Sequence, residues 1–451
     1  MYSRAISPTE RLYIARSVVT PPMAIQLVVE GTGSIDRKAL SEAVARAAVR
    51  CPGSRIVRRG RTWAEGGPAP AVRRVVDAVA DRGFRHAALR APFHASTGPN
   101  CEILLAGPGA DRLVFRAFHA VMDGQGVLAW AANVFAALRG EPGVPALSTV
   151  TETDIVDAFP PRPRHGSLPR DCASPLARLP AAARSTGTRP SGPRPANARP
   201  ADADPVNGRP VNVRPADADP VNVRPASAHP VDTDPMDTDP AEPGTWLWRR
   251  RTIPGLHHAL AARTIAAIAA LTGEPSRFVV PVSLRRHLPE LRSTANLTLP
   301  LYLDVPARTP WTAVRDRLRG ALAEHRELGS GGLDPVVEHG VARTLSTGTE
   351  AVSSGPLAPC TAVVSHVGRV DPATLSTPAF TAHTVYSLPM FVTYAPVFLT
   401  AYQLPNHAEI SLSCADGPGM GHRAEALLEH IRDSLLAHLD DADSADARAE
   451  V

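Results

Sequence analysis

From Arg194 to Asp239 the chain advances in steps of five residues: Arg194-Pro195-Ala196-Asn197-Ala198, then Arg199-Pro200-Ala201-Asp202-Ala203, then Asp204-Pro205-Val206-Asn207-Gly208. The pattern continues at Arg209, Arg214, Asp219, Arg224, His229, Asp234 and Asp239, each followed by proline. A proline at every fifth position removes a backbone donor and locks φ, so neither helix nor sheet can propagate. The tract also has few large apolar groups with which to offset its ordering entropy. It reads as a disordered, partly polyproline-II tether, with a docking tract for a partner as the alternative. It helps to explain the 46 prolines in 451 residues, about twice the usual share of roughly 5%. Any folded core must come from the flanks. The expected organisation is an N-terminal half at 1–150, a Pro-rich linker at 160–244 and a C-terminal half at 245–440.

The flanks have the composition for this. Hydrophobic residues make up 44% of the chain, enough for sizeable cores. The net charge is +4, and Lys38 is the only lysine. No basic block interleaves with aromatics, so the sequence does not read as a nucleic-acid binder. A mild positive balance suits anionic partners such as phosphate-bearing cofactors or acidic carrier proteins. The cysteines, Cys51, Cys101, Cys172, Cys360 and Cys414, are odd in number and widely spaced. They suggest neither a disulfide framework nor a zinc site, and a reducing, cytoplasmic compartment is the expectation. The N-terminus has charges throughout and no apolar stretch of signal-peptide type. The most apolar helix, Leu256 to Leu271, carries His257, His258 and Arg263, which argues against a membrane span.

Both flanks alternate strand and helix patterns, which predicts a mixed α/β fold. Ser7-Pro8-Thr9-Glu10 is a capping box for a short first helix. Strands are expected at Ala24–Gly31, Cys101–Leu105 and Arg112–Phe118, and helices at Arg37–Val49 and Val127–Leu138. After the repeats, strands are expected at Arg277–Val282, Leu297–Val305, Thr361–Ser365, Phe391–Tyr402 and Glu409–Cys414. Helices are expected at Leu256–Leu271, Trp311–Arg326 and Arg423–Leu439.

The stretch carrying chemistry is Phe118-His119-Ala120-Val121-Met122-Asp123-Gly124. An imidazole at a strand end can take a proton from a hydroxyl or amine. A carboxylate four residues on can touch the ring or pin the loop through an arginine elsewhere, and it also suits a helix N-cap. Gly124 permits tight turning and close approach to a ligand. Taken alone, one His, one Asp and one Gly in so short a run arise often by chance.

The run resembles the HHxxxDG or HxxxDG signature of chloramphenicol acetyltransferase, plant BAHD acyltransferases, polyketide-associated acyltransferases and condensation domains of nonribosomal peptide synthetases. Companion segments follow in the family's order. Ser7-Pro8-Thr9-Glu10 and Arg50-Cys51-Pro52 resemble its opening. Val280-Pro281-Val282-Ser283-Leu284-Arg285 is similar to a "VPVDLR" strand end, Ala295-Asn296 to a Gly-Asn pair, and Ser365-His366-Val367-Gly368 to an "S-N-x-G" segment. Phe118 stands where many relatives have a first histidine, Ser283 for aspartate, Ala295 for glycine and His366 for asparagine. The DFGWG motif of the plant branch is missing.

The resemblance implies two chloramphenicol-acetyltransferase-like α/β halves with a tunnel between them, joined by the disordered Pro-rich linker. It implies an acyltransferase of secondary metabolism that moves an acyl group from a coenzyme A or acyl carrier protein thioester to a hydroxyl or amine. His119 would be the general base, with Asp123, Gly124 and Arg285 in support. No cofactor beyond the acyl donor, no metal, no nucleic acid and no membrane span are expected. An inactive relative that binds a carrier protein or partner enzyme is the alternative. Arg285 is either the partner of Asp123 or a solvated surface residue, and Arg286 could exchange roles with it. Asn296 is either a turn residue or a hydrogen-bonder in the tunnel, and Ser365 and His366 either line the site or pack at a strand end. His257 and His258 point about 100° apart on a helix, which suits no shared metal. Gly329-Ser330-Gly331-Gly332 lacks the Lys-Ser/Thr of a phosphate cradle.

Overall fold

The computed structural model describes residues 1–17, 22–75, 86–107, 111–162, 171–180, 246–330, 357–392 and 394–437. The proline repeats lie outside the described residues.

Two mixed sheets carry the fold. The first runs in the order Phe380–Leu388, Ala24–Gly33, Arg112–Phe118, Cys101–Ala106, Ala71–Val75. Its pairs are antiparallel except the last. The second runs Thr298–Val305, Ser276–Ser283, Ala362–Arg369, Phe398–Gln403, His407–Ala415, Trp246–Pro254. Ala362–Arg369 is parallel to both neighbours and the remaining pairs are antiparallel. Smaller sheets join Ser3–Ala5 to Thr62–Glu65 and Ile56–Arg59, and Cys172–Ala173 to Leu357–Ala358.

The helices form close to where the apolar spacing places them, except that the one expected from Leu256 begins at Leu260 after a left-handed Ala259, which leaves His257 and His258 ahead of it. The Asp36 side chain caps Arg37–Arg50, accepting from the Ala39 amide at 2.8 Å. That helix buries Leu40, Ala43, Val44, Ala47 and Ala48 and packs beside Gly124–Leu138. Leu260–Thr272 and Met420–Leu436 pack together in the second core. The capping box closes as its residues require: Ser7 N donates to Glu10 Oε2 at 2.9 Å and Glu10 N to Ser7 Oγ at 3.3 Å. No helix among the described residues is long and apolar enough to cross a membrane.

The structure corrects three expectations. Phe398–Gln403 begins later than the expected Phe391, because Pro396 has no amide to give a ladder. Residues 171–180 were assigned to the linker. They instead form the strand Cys172–Ala173 and the turn Pro175–Arg178, with Cys172 and Leu176 buried. These apolar residues find a core. The third correction concerns Phe380–Leu388, a strand the sequence reading missed. It belongs to the second half in sequence but pairs with Ala24–Gly33 at the edge of the first sheet.

That crossing strand ties the two sheets through side chains. Tyr386 donates its hydroxyl to Glu30 at 2.7 Å and stacks under the Arg250 guanidinium at 4.0 Å. Thr384 donates to Glu409 at 2.9 Å, and Ser387 bonds the Tyr402 hydroxyl. Gly31 explains its first residue. A Cβ at Gly31 would meet the Phe380 ring at 2.6 Å, so the absent side chain makes room for that ring. Phe380 is fully buried and packs on Phe135 at 6.1 Å.

Phe380→Ala should therefore cost about 3–5 kcal/mol, the usual range for emptying a buried aromatic site. The expected reading is a clear fall in the urea midpoint. An unchanged midpoint would show that the crossing strand is held by its backbone alone.

Candidate active site

Arg112–Phe118 ends as the chain turns. His119 N donates to the Met23 carbonyl at 2.8 Å, and Val121 N and Met122 N both return to the Phe118 carbonyl. Asp123 then caps the helix Gly124–Leu138, its Oδ1 accepting from Gly126 N at 2.7 Å. The constrained glycine in this turn is Gly126. A Cβ there would lie 2.3 Å from the Thr294 carbonyl oxygen. Gly124 is different from the expectation: its φ is not positive, and a Cβ would make only ordinary contact with Val367 at 3.8 Å. It lines a cavity instead.

His119 is buried. Its Nδ1 lies 3.2 Å from the Met122 carbonyl oxygen. A carbonyl only accepts, and Asn296 Nδ2, 3.4 Å from Nδ1, has its shorter bond to the His119 carbonyl, so the contacts favour the tautomer with the proton on Nδ1 and the lone pair on Nε2. The Tyr13 ring stacks on the imidazole, 4.1 Å between centroids and 17° between planes. Asn296 Nδ2 donates to the His119 carbonyl at 2.8 Å. Burial drives the His119 pKa down from 6.5 to about 4, against the upward pull of Asp123 and the Met122 carbonyl. The ring is therefore neutral at pH 7.

Asp123 is held from both sequence halves. Besides Gly126, its carboxylate accepts at Oδ2 from Arg285 Nη1 at 2.7 Å, Leu297 N at 2.9 Å and Thr298 Oγ1 at 3.0 Å. Burial pushes the carboxyl up, but Arg285 and these donors outweigh it and hold the group below its ordinary 3.8. Arg285 also donates through Nη2 to the carbonyls of Ser293 and Ala295, at 3.0 and 2.7 Å.

His119, Asp123 and Gly124 open on a cavity of about 370 Å³. Leu12, Ile25, Val279, Val363, Met390 and Phe398 give it apolar walls. Tyr13, Arg16, Thr298, Tyr302, Ser365 and Tyr394 supply polar groups. The wall thus draws on residues from both sides of the repeat tract.

No protein-family model and no curated protein matches this sequence. Solved structures do. The condensation domain of the monacolin K polyketide synthase MokA is similar over 97% of each chain, with a TM-score of 0.56 and 14% identity. Polyketide synthase associated protein 5 from Mycobacterium tuberculosis covers 96% of this chain and 97% of its own, at 0.55 and 13%. The starter condensation domain of rhizomide synthetase RzmA, as a double variant in complex with C8-CoA and Leu-SNAC, covers 96% and 94%, at 0.55 and 12%. The chain has the condensation-domain fold.

Within the condensation-domain fold, the expected residues do not all fall where they were expected. Asp123 and Arg285 meet. Arg286 instead turns to Glu327 at 2.8 Å. Ser365 lines the cavity, whereas His366, its neighbour on the strand, is exposed. Asn296 does not line the cavity; it braces the His119 backbone from behind. The His257 ring contacts the Pro254 carbonyl at 3.0 Å rather than a metal partner. Among the described residues, the group suited to a metal is His287, His325 and Glu327, with ligand atoms within 4.8 Å. There Glu327 Oε1 already accepts from Arg286 and His287. Sequence reading missed Tyr13, Thr298 and Arg16. Their only local signal is helical or strand spacing, and what they touch is remote in the chain.

Arg285→Met should leave the Asp123 carboxylate buried without its cation and cost ~3–5 kcal/mol. The double variant Asp123→Asn with Arg285→Met should recover much of that loss in urea unfolding. The sign with pH follows from the lowered folded-state pKa of Asp123. The pair's contribution is fully present above the ordinary value of 3.8 and is lost as the pH falls further. Equal stability of wild type and Arg285→Met at pH 7 would mean the pair is inert.

Proposed function

We propose that this protein is an acyltransferase that moves an acyl group from a coenzyme A or acyl carrier protein thioester to a hydroxyl or amine of a small molecule. The observation that carries this is the neutral His119 on the cavity wall. Its Nδ1 proton is committed to a carbonyl, which leaves Nε2 as a base. The cavity, walled by both halves, would be the tunnel in which donor and acceptor meet. Apolar walls suit an acyl chain, and a fold neighbour is recorded with C8-CoA.

In this reading the acceptor O–H or N–H gives its proton to His119 Nε2 as its O or N attacks the thioester carbon. Collapse of the tetrahedral adduct breaks the C–S bond. The imidazolium then returns the proton to the departing sulfur. A thiolate is far more basic than an imidazole of pKa about 4, so this last transfer runs downhill. Asp123 and Arg285 hold the loop in register and take no proton. Holding both substrates in one cavity supplies rate through proximity. The chemistry needs only the acyl thioester and the acceptor.

The non-catalytic alternative draws on the departures at Ser283, Ala295 and His366, and none of the three lines the cavity. Ser283 bonds Gln125 at 3.1 Å and caps its own turn. None of the three therefore forms part of the cavity wall.

Incubation with a panel of acyl-CoA donors and an acceptor pool, followed by mass analysis, should show acylated product. His119→Ala should lower kcat/KM by about 10²–10⁴, the usual share of a general base, with the fold intact by circular dichroism. Because only the unprotonated ring is competent, wild-type kcat/KM should rise as pH climbs through about 4 and then level off, rather than rising near 6.5. Undiminished turnover in His119→Ala would sink the proposal.

A further inference from the structure

Arg16 sits in the last turn of the helix Pro8–Ser17, one turn beyond Tyr13. It is 5% exposed and lines the cavity. Its Nη2 donates to the Phe391 carbonyl at 3.2 Å, and its Nε is buried without a partner. Among the described residues no carboxylate pairs with it. Other buried arginines of the protein do have such a partner: Arg4 with Glu10, Arg116 with Glu102, Arg277 with Asp304. The helix carbonyl end and the Tyr394 ring, 5.7 Å away, compensate only part of the charge. A guanidinium buried without a counter-ion is costly, and one placed on a cavity wall can receive its counter-ion from a ligand.

Building on the acyltransferase reading above, we infer that Arg16 is a specificity residue that binds a free carboxylate on a substrate. The spacing defines where that carboxylate lies. Tyr13 stacks on His119, and Arg16 follows three residues on, about 4.5 Å along the same helix face. The anionic group therefore shares one cavity with the reacting centre. The phosphates of a coenzyme A donor are at the far end of the pantetheine arm from the thioester and cannot serve. The carboxylate belongs either to the acyl group, as in a dicarboxylic half-thioester, or to the acceptor, as in a free amino or hydroxy acid. A guanidinium matches either bidentately.

Paired substrates test this. Succinyl-CoA against butyryl-CoA probes the donor. A mixture of amino and hydroxy acids against their methyl esters probes the acceptor. Wild type should favour the charged member of one pair by about 10- to 100-fold, in line with a charge-assisted hydrogen bond, and that pair identifies the source. Arg16→Met should collapse the ratio towards one, and Arg16→Lys should keep part of it, with thermal melts reporting that each variant folds. Equal rates within both pairs in wild type would overturn the inference. So would a ratio that survives in a folded Arg16→Met. If no donor turns over, the acyltransferase reading fails separately, and calorimetric titration with succinyl-CoA, butyryl-CoA and glutarate decides the question. Preferential binding of the charged probes that Arg16→Met abolishes supports the site; indifference to charge overturns it.

Discussion

The Asp123 carboxylate is the point on which the site's geometry rests. Its four donors come from three places in the chain: the first turn of its own helix, the turn after Ser276–Ser283, and the start of Thr298–Val305. Taking such a charge out of water costs several kcal/mol, and the cost is met only when every donor is in place. Small displacements therefore lose several bonds together, which specifies register sharply. Arg285 extends the constraint by binding the carbonyls of Ser293 and Ala295. The loop so held presses its Thr294 carbonyl against Gly126 and brings Asn296 to the His119 backbone. The imidazole is thus positioned by a carboxylate whose strong partners are all structural.

The same pairing decides the protonation state of His119. A free carboxylate four residues away would favour the imidazolium. Asp123 is instead committed to Arg285, so its pull on the ring is weakened and burial prevails. Tyr13 stacks on one face of the ring and adds to its burial. Near pH 7 the ring is then wholly in its neutral form, and its basicity is lower than that of a free imidazole.

Much of the architecture was legible in the sequence, because most strands and helices bury one face and declare it by period. The helices Arg37–Arg50 and Gly124–Leu138 and the strands Ser276–Ser283 and Thr298–Val305 fall close to where their spacing puts them. What was not legible is non-local. Phe380–Leu388 announces itself weakly, since threonine, histidine and serine interrupt its apolar residues. Its place in the first sheet depends on the room left over Gly31. At the site, His119, Asp123 and Arg285 were readable because each sits in a short run of resembling residues. Tyr13 and Arg16 were not, since nothing in the helix itself shows what its inner face meets. The choice between Arg285 and Arg286 likewise needed geometry. The two are adjacent, and only the turn that Ser283 caps aims one at Asp123 and the other at Glu327.

This division between local and remote information also separates chemistry from specificity. The reacting machinery proposed above lies on one tight turn and one ion pair, so a few neighbouring residues encode it. The walls that would select a substrate come from at least six segments, from the first helix to Phe398–Gln403. The crossing strand and its neighbours provide several of them, including Ser387, Leu388 and Met390. A change in any wall residue alters what fits without touching the bonds that hold Asp123. Arg16, on the inference above, is such a wall residue. A single cation at the end of a helix changes the charge of the acceptable ligand and leaves the reacting turn unaltered.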